Sequence, residues 1–453
     1  MNLVYGIKDK PKAGQIIIFA FQQLLAILAA TIVVPVIING NAGLEGADAM
    51  SQSAALFGAG VGTIVYLLFT KFRSPVFLGS SFAFLGSMTV AFTGAVTAAA
   101  GYAGLILGAI FAGLVYVVIA IIVKIAGVAW ISKLMPAVVI GPTVSIIGLS
   151  LAGNAVGDAL ALAKTDAGYV MSTKGWIGFI CALITLFTVI LCSVYGKKMT
   201  KLIPFVIGIL AGYAVAAAFT LIGRGIGNEN LQVMDWSAFA NMQMVPSFTF
   251  LKAFNGGFSA LTPSYIVTIA VAYIPVAFVV FAEHIADHKN LSTIVNQELL
   301  EDPGLHRTLL GDGIGSMVGA FFGGCPNTTY GESIGCVAIT GNASVITILA
   351  TAIMAILASF CAPFVTFLST IPGFVMGGVC ITLYGFIAVS GLKMIQNVDL
   401  GDNKNLFVVA VVLICGIGGM TLSIGKVTLT EVACALILGI IVNLMVSKKK
   451  AAE

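Results

Sequence analysis

Apolar stretches of about 17–25 residues, long enough to cross a bilayer as a helix, recur near 14–38, 53–70, 99–123, 129–151, 175–195, 202–223, 263–287, 306–323, 345–369, 371–392, 405–424 and 428–447. These predict twelve spans of ordinary length. Two further stretches, 75–91 and 325–341, are interrupted by SPVFLGSSF and GGCPNTTYGES, runs of Gly, Pro, Ser and Thr that a continuous helix disfavours. They predict discontinuous spans, the third and tenth of fourteen. The first run, Gly14 to Ile38 behind Lys8, Lys10 and Lys12, is too long for the core of a cleaved leader and reads as a retained span.

Composition sharpens this to an all-α polytopic membrane protein. Only 9% of the 453 residues are charged and 59% are hydrophobic, against roughly 25% charged in soluble proteins. Such a chain could not cover a water-facing surface. The 52 glycines let helices approach closely, and Gly58/Gly62 and Gly311/Gly315/Gly319 have the spacing of packing faces, within the chain or between copies. A net charge of +4 excludes nucleic acid as a partner. Eight single cysteines and three histidines indicate neither a disulfide framework nor a zinc site, and no cofactor is expected.

Lys and Arg placement gives orientation, because cytoplasmic loops are enriched in both. With the amino terminus inside, 17 of the 22 basic residues fall on the inner side, and only Lys164, Lys174, Arg224, Lys252 and Lys426 lie outside. Both termini, 1–13 and 448–453, are therefore expected in the cytoplasm.

The two halves resemble each other. Met135-Pro136-Ala-Val-Val-Ile-Gly141 recurs 236 positions later as Ile371-Pro372-Gly-Phe-Val-Met-Gly377, and Ser80-Ser81-Phe82 is echoed 248 positions later by Thr328-Thr329-Tyr330. Seven spans separate each pair. An odd number inverts the second copy, as in the inverted repeats of secondary transporters. The expected division is a first repeat at 1–224, an external connector at 225–262 and a second repeat at 263–453.

Irregular backbone at membrane depth is tolerated only where protein or a water-filled cavity satisfies it, so the two breaks are expected to face each other across a site. Each has a short extended piece (Pro75 to Gly79; Gly324 to Asn327) leading to a half-helix with hydroxyl residues as natural N-caps, its N–H groups aimed at the midplane. The bland alternative is a pair of strained packing kinks, which two breaks in matching positions make the less favoured reading. Intramembrane carboxylates default to function. Glu283 lies in the eighth span and Glu332 just after the second break. Asp287 shares a helix face with Glu283, whereas His284 points about 100° away. Asp312 and Glu431 read as structural, and His288 as dispensable. Phe82 and Tyr330 each follow hydroxyl residues at a break, where a planar ligand could stack. A pocket of carboxylates, N–H donors and rings, with no Lys or Arg, suits a flat neutral molecule bearing both N–H and carbonyl groups, such as a nucleobase.

The motifs LGSSFAF (Leu78 to Phe84), AEHIADH (Ala282 to His288), DPGLHR (Asp302 to Arg307), PNTTYGESIG (Pro326 to Gly335), PGFVMGG (Pro372 to Gly378) and LYG (Leu383 to Gly385) resemble the nucleobase–cation symporter family, also called nucleobase/ascorbate transporters, in its bacterial uracil permease branch. The resemblance implies a core domain of spans 1–4 and 8–11, a gate domain of spans 5–7 and 12–14, and proton-driven uracil uptake across the bacterial cytoplasmic membrane. It implies Glu283 and Glu332 as substrate-binding, with Phe82, Ser81, Tyr330 and Gly331 beside them, Ala30 on the first span and Tyr384 on the gate. Glu283, Glu332 and Asp287 are the expected proton carriers. A homodimer through the gate domain is implied in the same way. Ser333 stands where asparagine is usual, and Asp287 where some uracil carriers have histidine. The alternatives are a xanthine-type permease of the same family and an anion exchanger of the same fold; no metal cluster or Ser/His pair speaks for an enzyme.

Overall fold

The structure is a computed structural model, which describes residues 3–447 apart from 128, 129, 131–135, 162, 166, 167, 198, 243, 397, 425 and 426. Lys133, Met135, Lys198, Lys426 and the carboxy-terminal 448–453, used above for orientation and repeats, lie outside the described residues. Sixteen helices carry the fold: α1 (Ala13–Ala42), α2 (Gln52–Phe69), α3 (Leu85–Thr93), α4 (Ala98–Ala126), α5 (Ala137–Ser150), α6 (Ala152–Leu160), α7 (Thr173–Tyr195), α8 (Pro204–Ile226), α9 (Pro263–Val295), α10 (Leu305–Gly323), α11 (Gly331–Thr340), α12 (Val345–Ser359), α13 (Ala362–Ser369), α14 (Gly373–Met394), α15 (Asn403–Ile417) and α16 (Glu431–Ser447). Six three-residue strands accompany them: β1 (Leu78–Ser80), β2 (Ala163–Thr165), β3 (Gly168–Val170), β4 (Asn327–Thr329), β5 (Leu422–Ile424) and β6 (Val427–Leu429).

Capping chemistry sets several helix starts. Ser51, Thr97 and Thr262 accept from the N–H three residues on, at 3.2, 3.1 and 3.2 Å, opening α2, α4 and α9. Pro136 and Pro372, the prolines of the repeated motif, stand immediately before α5 and α14.

Among the described residues eight helices are long and apolar enough to cross a membrane, or nine if α12 and α13 count as one. The predicted continuous span 345–369 is in fact bent by 80° between those two helices. Cys361 is extended there and Pro363 sits in the first turn of α13, where its missing N–H costs nothing. The predicted span 405–424 also stops early: α15 ends at Ile417, Gly419 takes a positive φ of 66°, and β5 turns back onto β6. At 15 and 17 residues, α15 and α16 are shorter than an ordinary crossing.

Two sets of helices emerge from the packing. α10 packs on both α2 and α4, and α12 on α2, with α1 on α12 and α9 on α4; α5, α6, α7 and α14 form a second set with α8, α15 and α16. The glycine spacings serve packing inside the chain. A Cβ on Gly58 would lie 2.4 Å from the Gly319 carbonyl oxygen, and one on Gly62 2.8 Å from that of Gly315, so α2 and α10 touch backbone to backbone.

Candidate functional site

The two interrupted stretches meet directly, hydrogen-bonded to each other instead of lying across a gap. β1 runs antiparallel to β4, with Leu78 opposite Thr329, Gly79 opposite Thr328 and Ser80 opposite Asn327. Backbone bonds from Ser81 to Pro326 (2.9 Å) and from Tyr330 to Phe77 (3.2 Å) extend the pairing. A two-stranded pair is marginal alone. Here α2 pins both strands: Thr63 Oγ1 accepts from the Leu78 N–H at 2.9 Å, and Asn327 Nδ2 donates to the Gly58 carbonyl at 3.2 Å. Only glycine fits at 79, since a Cβ there would fall 2.3 Å from the Tyr330 ring.

The expected hydroxyl caps do not form. Phe84 and Tyr330 occupy the N-cap positions of α3 and α11, without side-chain cap bonds. The polar side chains beside them serve the strands or the cavity. Ser81 Oγ and Thr328 Oγ1 are buried with no hydrogen-bond partner among the described residues.

Beside this strand pair lies a cavity of about 460 Å³. Glu283, Ala286 and Asp287 of α9 form one wall, Thr328 to Glu332 a second and Phe82 and Ala83 a third. Val144, Ile147, Leu383, Phe386 and Ser390 close it from the other helix set. Thus Glu283, Glu332, Asp287, Phe82, Tyr330 and Gly331 come together at one site. Glu332 sits in the first turn of α11, where the helix dipole favours its charge. Asp287 Oδ2 accepts from Thr329 Oγ1 at 2.7 Å, and the Tyr330 hydroxyl is spent on the Ser80 carbonyl at 2.9 Å, leaving its ring as the exposed function.

Three expected residues do not line the cavity. Ala30 is buried in the core, and Ala26, one turn earlier on α1, takes that place. Tyr384 is also buried and meets Phe82 edge-on, with centroids 6.2 Å apart, so it backs a lining ring. Ser81 is buried and does not line the cavity. The cavity also contains a base, contrary to the sequence reading: Lys201, on the short helix Met199–Leu202, lies on its wall. Its run of neighbouring lysines made it look like an ordinary loop charge.

Opposite the cavity, α9 presents its histidines to buried partners. His284 Nδ1 is 2.8 Å from Asp312 Oδ2, and its Nε2 is 2.9 Å from Thr308 Oγ1; both His284 and Asp312 are 0% exposed. His288 Nε2 lies 2.7 Å from the Tyr66 hydroxyl and its Nδ1 2.8 Å from the His284 carbonyl. His288 thus has buried partners that its place in the sequence did not show, and the Tyr66 hydroxyl it meets also bonds Ser74 Oγ at 2.7 Å. The available signal was spacing. Residues 284 and 288 share a face, and an aspartate in an apolar helix needs a partner.

Ser333 points away from the cavity. Fully buried, it accepts from the Phe77 N–H at 3.0 Å and from Gln23 on α1, tying the first helix to both breaks.

The Permease family model matches residues 14–425. Uracil permeases of Bacillus caldolyticus and Bacillus subtilis (strain 168) are 39% and 36% identical to this chain over 99% and 98% of its length, covering 96% and 95% of their own. The uracil permease of Escherichia coli (strain K12) is 34% identical over 97% of this chain and 93% of its own. Among solved structures, the transmembrane domain of the cyanobacterial bicarbonate transporter BicA superposes with a TM-score of 0.57 at 14% identity, covering 96% of this chain and 99% of that one. The murine Slc26a9 anion transporter in its inward-facing state gives 0.66 at 10% identity, covering 97% of this chain and 69% of that one. At this identity the two show a shared fold and say nothing of the substrate of this chain. With a multi-pass helical architecture and full-length relatives at this identity, the chain belongs to the Permease family of nucleobase/ascorbate transporters.

Proposed function

We propose that this protein imports uracil together with protons across the cytoplasmic membrane, and that the cavity between α9, the strand pair and α14 is its binding site. The carrying observation is the meeting of Glu283, Asp287 and Glu332 with the Phe82 and Tyr330 rings in one cavity, beside an unpartnered Thr328 hydroxyl. Uracil is planar and neutral, with two N–H donors and two carbonyl acceptors. Carboxylates accept the former, while the Thr328 hydroxyl and the N–H groups at the start of α11 serve the latter. Full-length relatives named as uracil permeases support the same substrate. Three carboxylates against one lysine disfavour an anion, although the solved neighbours in fold carry anions.

In this reading the fourteen spans form two inverted repeats, 1–224 and 263–453, joined by an external connector at 225–262, with both termini cytoplasmic. Spans 1–4 and 8–11 are the core and spans 5–7 and 12–14 the gate. The strand register supports it. Under the 248-residue offset the pair Gly79 and Thr328 becomes Asn327 and Ser80, which is the next pair of the ladder, and Leu78 with Thr329 becomes Pro326 with Ser81, which are hydrogen-bonded. A pairing that maps onto itself is what a twofold axis between two copies requires.

Uptake of labelled uracil, xanthine and sulfate by cells overproducing the chain tests the assignment. Saturable uracil uptake, competed by neither xanthine nor sulfate, is expected; preferential xanthine or sulfate uptake would overturn it.

A further inference from the structure

A second cavity, of about 260 Å³, shares Phe82, Ala83 and Ile147 with the first. The two lie in series across the molecule. On α1, Ala26 lines the first and Asn41 the second, fifteen residues and therefore about 22 Å apart along the helix. Along α5 and α6 the same order runs from Val144 through the shared Ile147 to Asn154. Lys201 is on the first cavity, so by the charge distribution the second opens on the opposite, lysine-poor side.

Its polar lining is not that of a packing void. Asn41, Ser150, Asn154, Thr89, Thr421 and Glu431 line it together with apolar residues such as Leu85 and Val432. Glu431, in the first turn of α16, reaches over α3 so closely that a Cβ on Gly86 would stand 3.7 Å from its Oε1. Its carboxylate makes no hydrogen bond or ion pair among the described residues. Asn154 Nδ2 donates to Asn41 Oδ1 at 3.1 Å, which joins α6 to α1 across the two helix sets and leaves Asn41 Nδ2 and Asn154 Oδ1 free. Acceptor carboxylate, amide donor and amide acceptor around a space below the roughly 300–1,000 Å³ of drug-sized sites match one small planar ring with both N–H and C=O edges.

We propose that this cavity is an entry subsite, in which Glu431, Asn41 and Asn154 capture the nucleobase from outside before it passes the septum of Phe82 and Ile147 to the inner cavity. The proposal rests on the transport reading above. Neither Glu431 nor the two asparagines touch the inner cavity, so the two sites are separable by mutation.

Initial rates of labelled uracil influx into cells, and equilibrium uracil binding to the purified protein, are measured for Glu431→Gln, Asn154→Ala and Glu283→Gln. For Glu431→Gln and Asn154→Ala, kcat/KM for influx should fall at least fivefold while the Kd of the purified protein stays within twofold of the parent. Influx within twofold of the parent in both variants overturns the entry subsite. So does a parallel loss of equilibrium affinity, which places these residues in the inner site or in the fold. If instead Glu283→Gln binds uracil like the parent, the transport reading of the inner cavity falls, and that outcome is independent of the other two variants.

Discussion

Glu283 and Phe82 do different work in the same cavity, and each can be removed alone. Glutamine at 283 keeps the shape and a carbonyl acceptor but loses the charge that strengthens a hydrogen bond to about 1.5–3 kcal/mol. Glu283→Gln is expected to weaken uracil binding at least tenfold, by equilibrium binding, with unchanged membrane insertion. Phe82 lines both cavities, and in the proposed function its ring stacks on the base. Loss of one stacking surface costs about 1–3 kcal/mol per base, roughly a five- to 150-fold rise in Kd. Phe82→Ala should show that rise by the same measurement; unchanged affinity with reduced thermal stability would make Phe82 a packing residue. Both residues were legible in the chain, one as a charge inside an apolar run and the other as an aromatic at a break. Ala26 was not, because nothing in a run of small and aliphatic residues marks which helical turn faces the site. Lys201 was hidden by its lysine neighbours, and only the placement of Met199–Leu202 beside the cavity distinguishes it.

At the level of the element, α9 works as a two-faced part. Glu283 and Asp287 look into the cavity, while His284 and His288, one position on in each turn, are fastened to α10 and α2 through Asp312, Thr308 and Tyr66. The clamp fixes the rotation of the helix and so the aim of the carboxylates. His288→Ala removes one of the two 2.7 Å partners of the fully buried Tyr66 hydroxyl, with Ser74 Oγ remaining, a loss of about 0.5–1.5 kcal/mol. Thermal unfolding of the purified protein should occur at lower temperature in this variant than in the parent; an unchanged unfolding temperature would deny the clamp. The same scale separates what could be read from the chain and what could not. Breaks at 75–91 and 325–341 were visible because Gly, Pro, Ser and Thr cluster where apolar residues otherwise run on. Their pairing was not, since strand register between segments some 250 residues apart leaves no local pattern. The bend between α12 and α13 was missed because Pro363 stands in an otherwise even apolar run and hydropathy does not register backbone geometry.

For the whole molecule the question is what drives the cycle. A neutral nucleobase gains nothing from the membrane potential, so its accumulation needs a co-transported ion, and the cavity contains groups suited to carrying one. Glu283, Asp287 and Glu332 line a single space with one lysine near them. Closing apolar walls over several unpaired negative charges is costly, because each must give up its water. Under the proposed symport, a proton taken up with the substrate would remove one of those charges and its release would restore it, linking occlusion to proton movement. The carboxylates are distributed over α9 and α11 on different walls of the cavity. In proteoliposomes, uracil uptake should therefore rise with an inward-directed proton gradient, collapse on addition of an uncoupler and proceed equally in sodium-free buffer. Uptake that persists with the uncoupler and depends on sodium would assign the coupling to another ion while leaving the cavity as the uracil site.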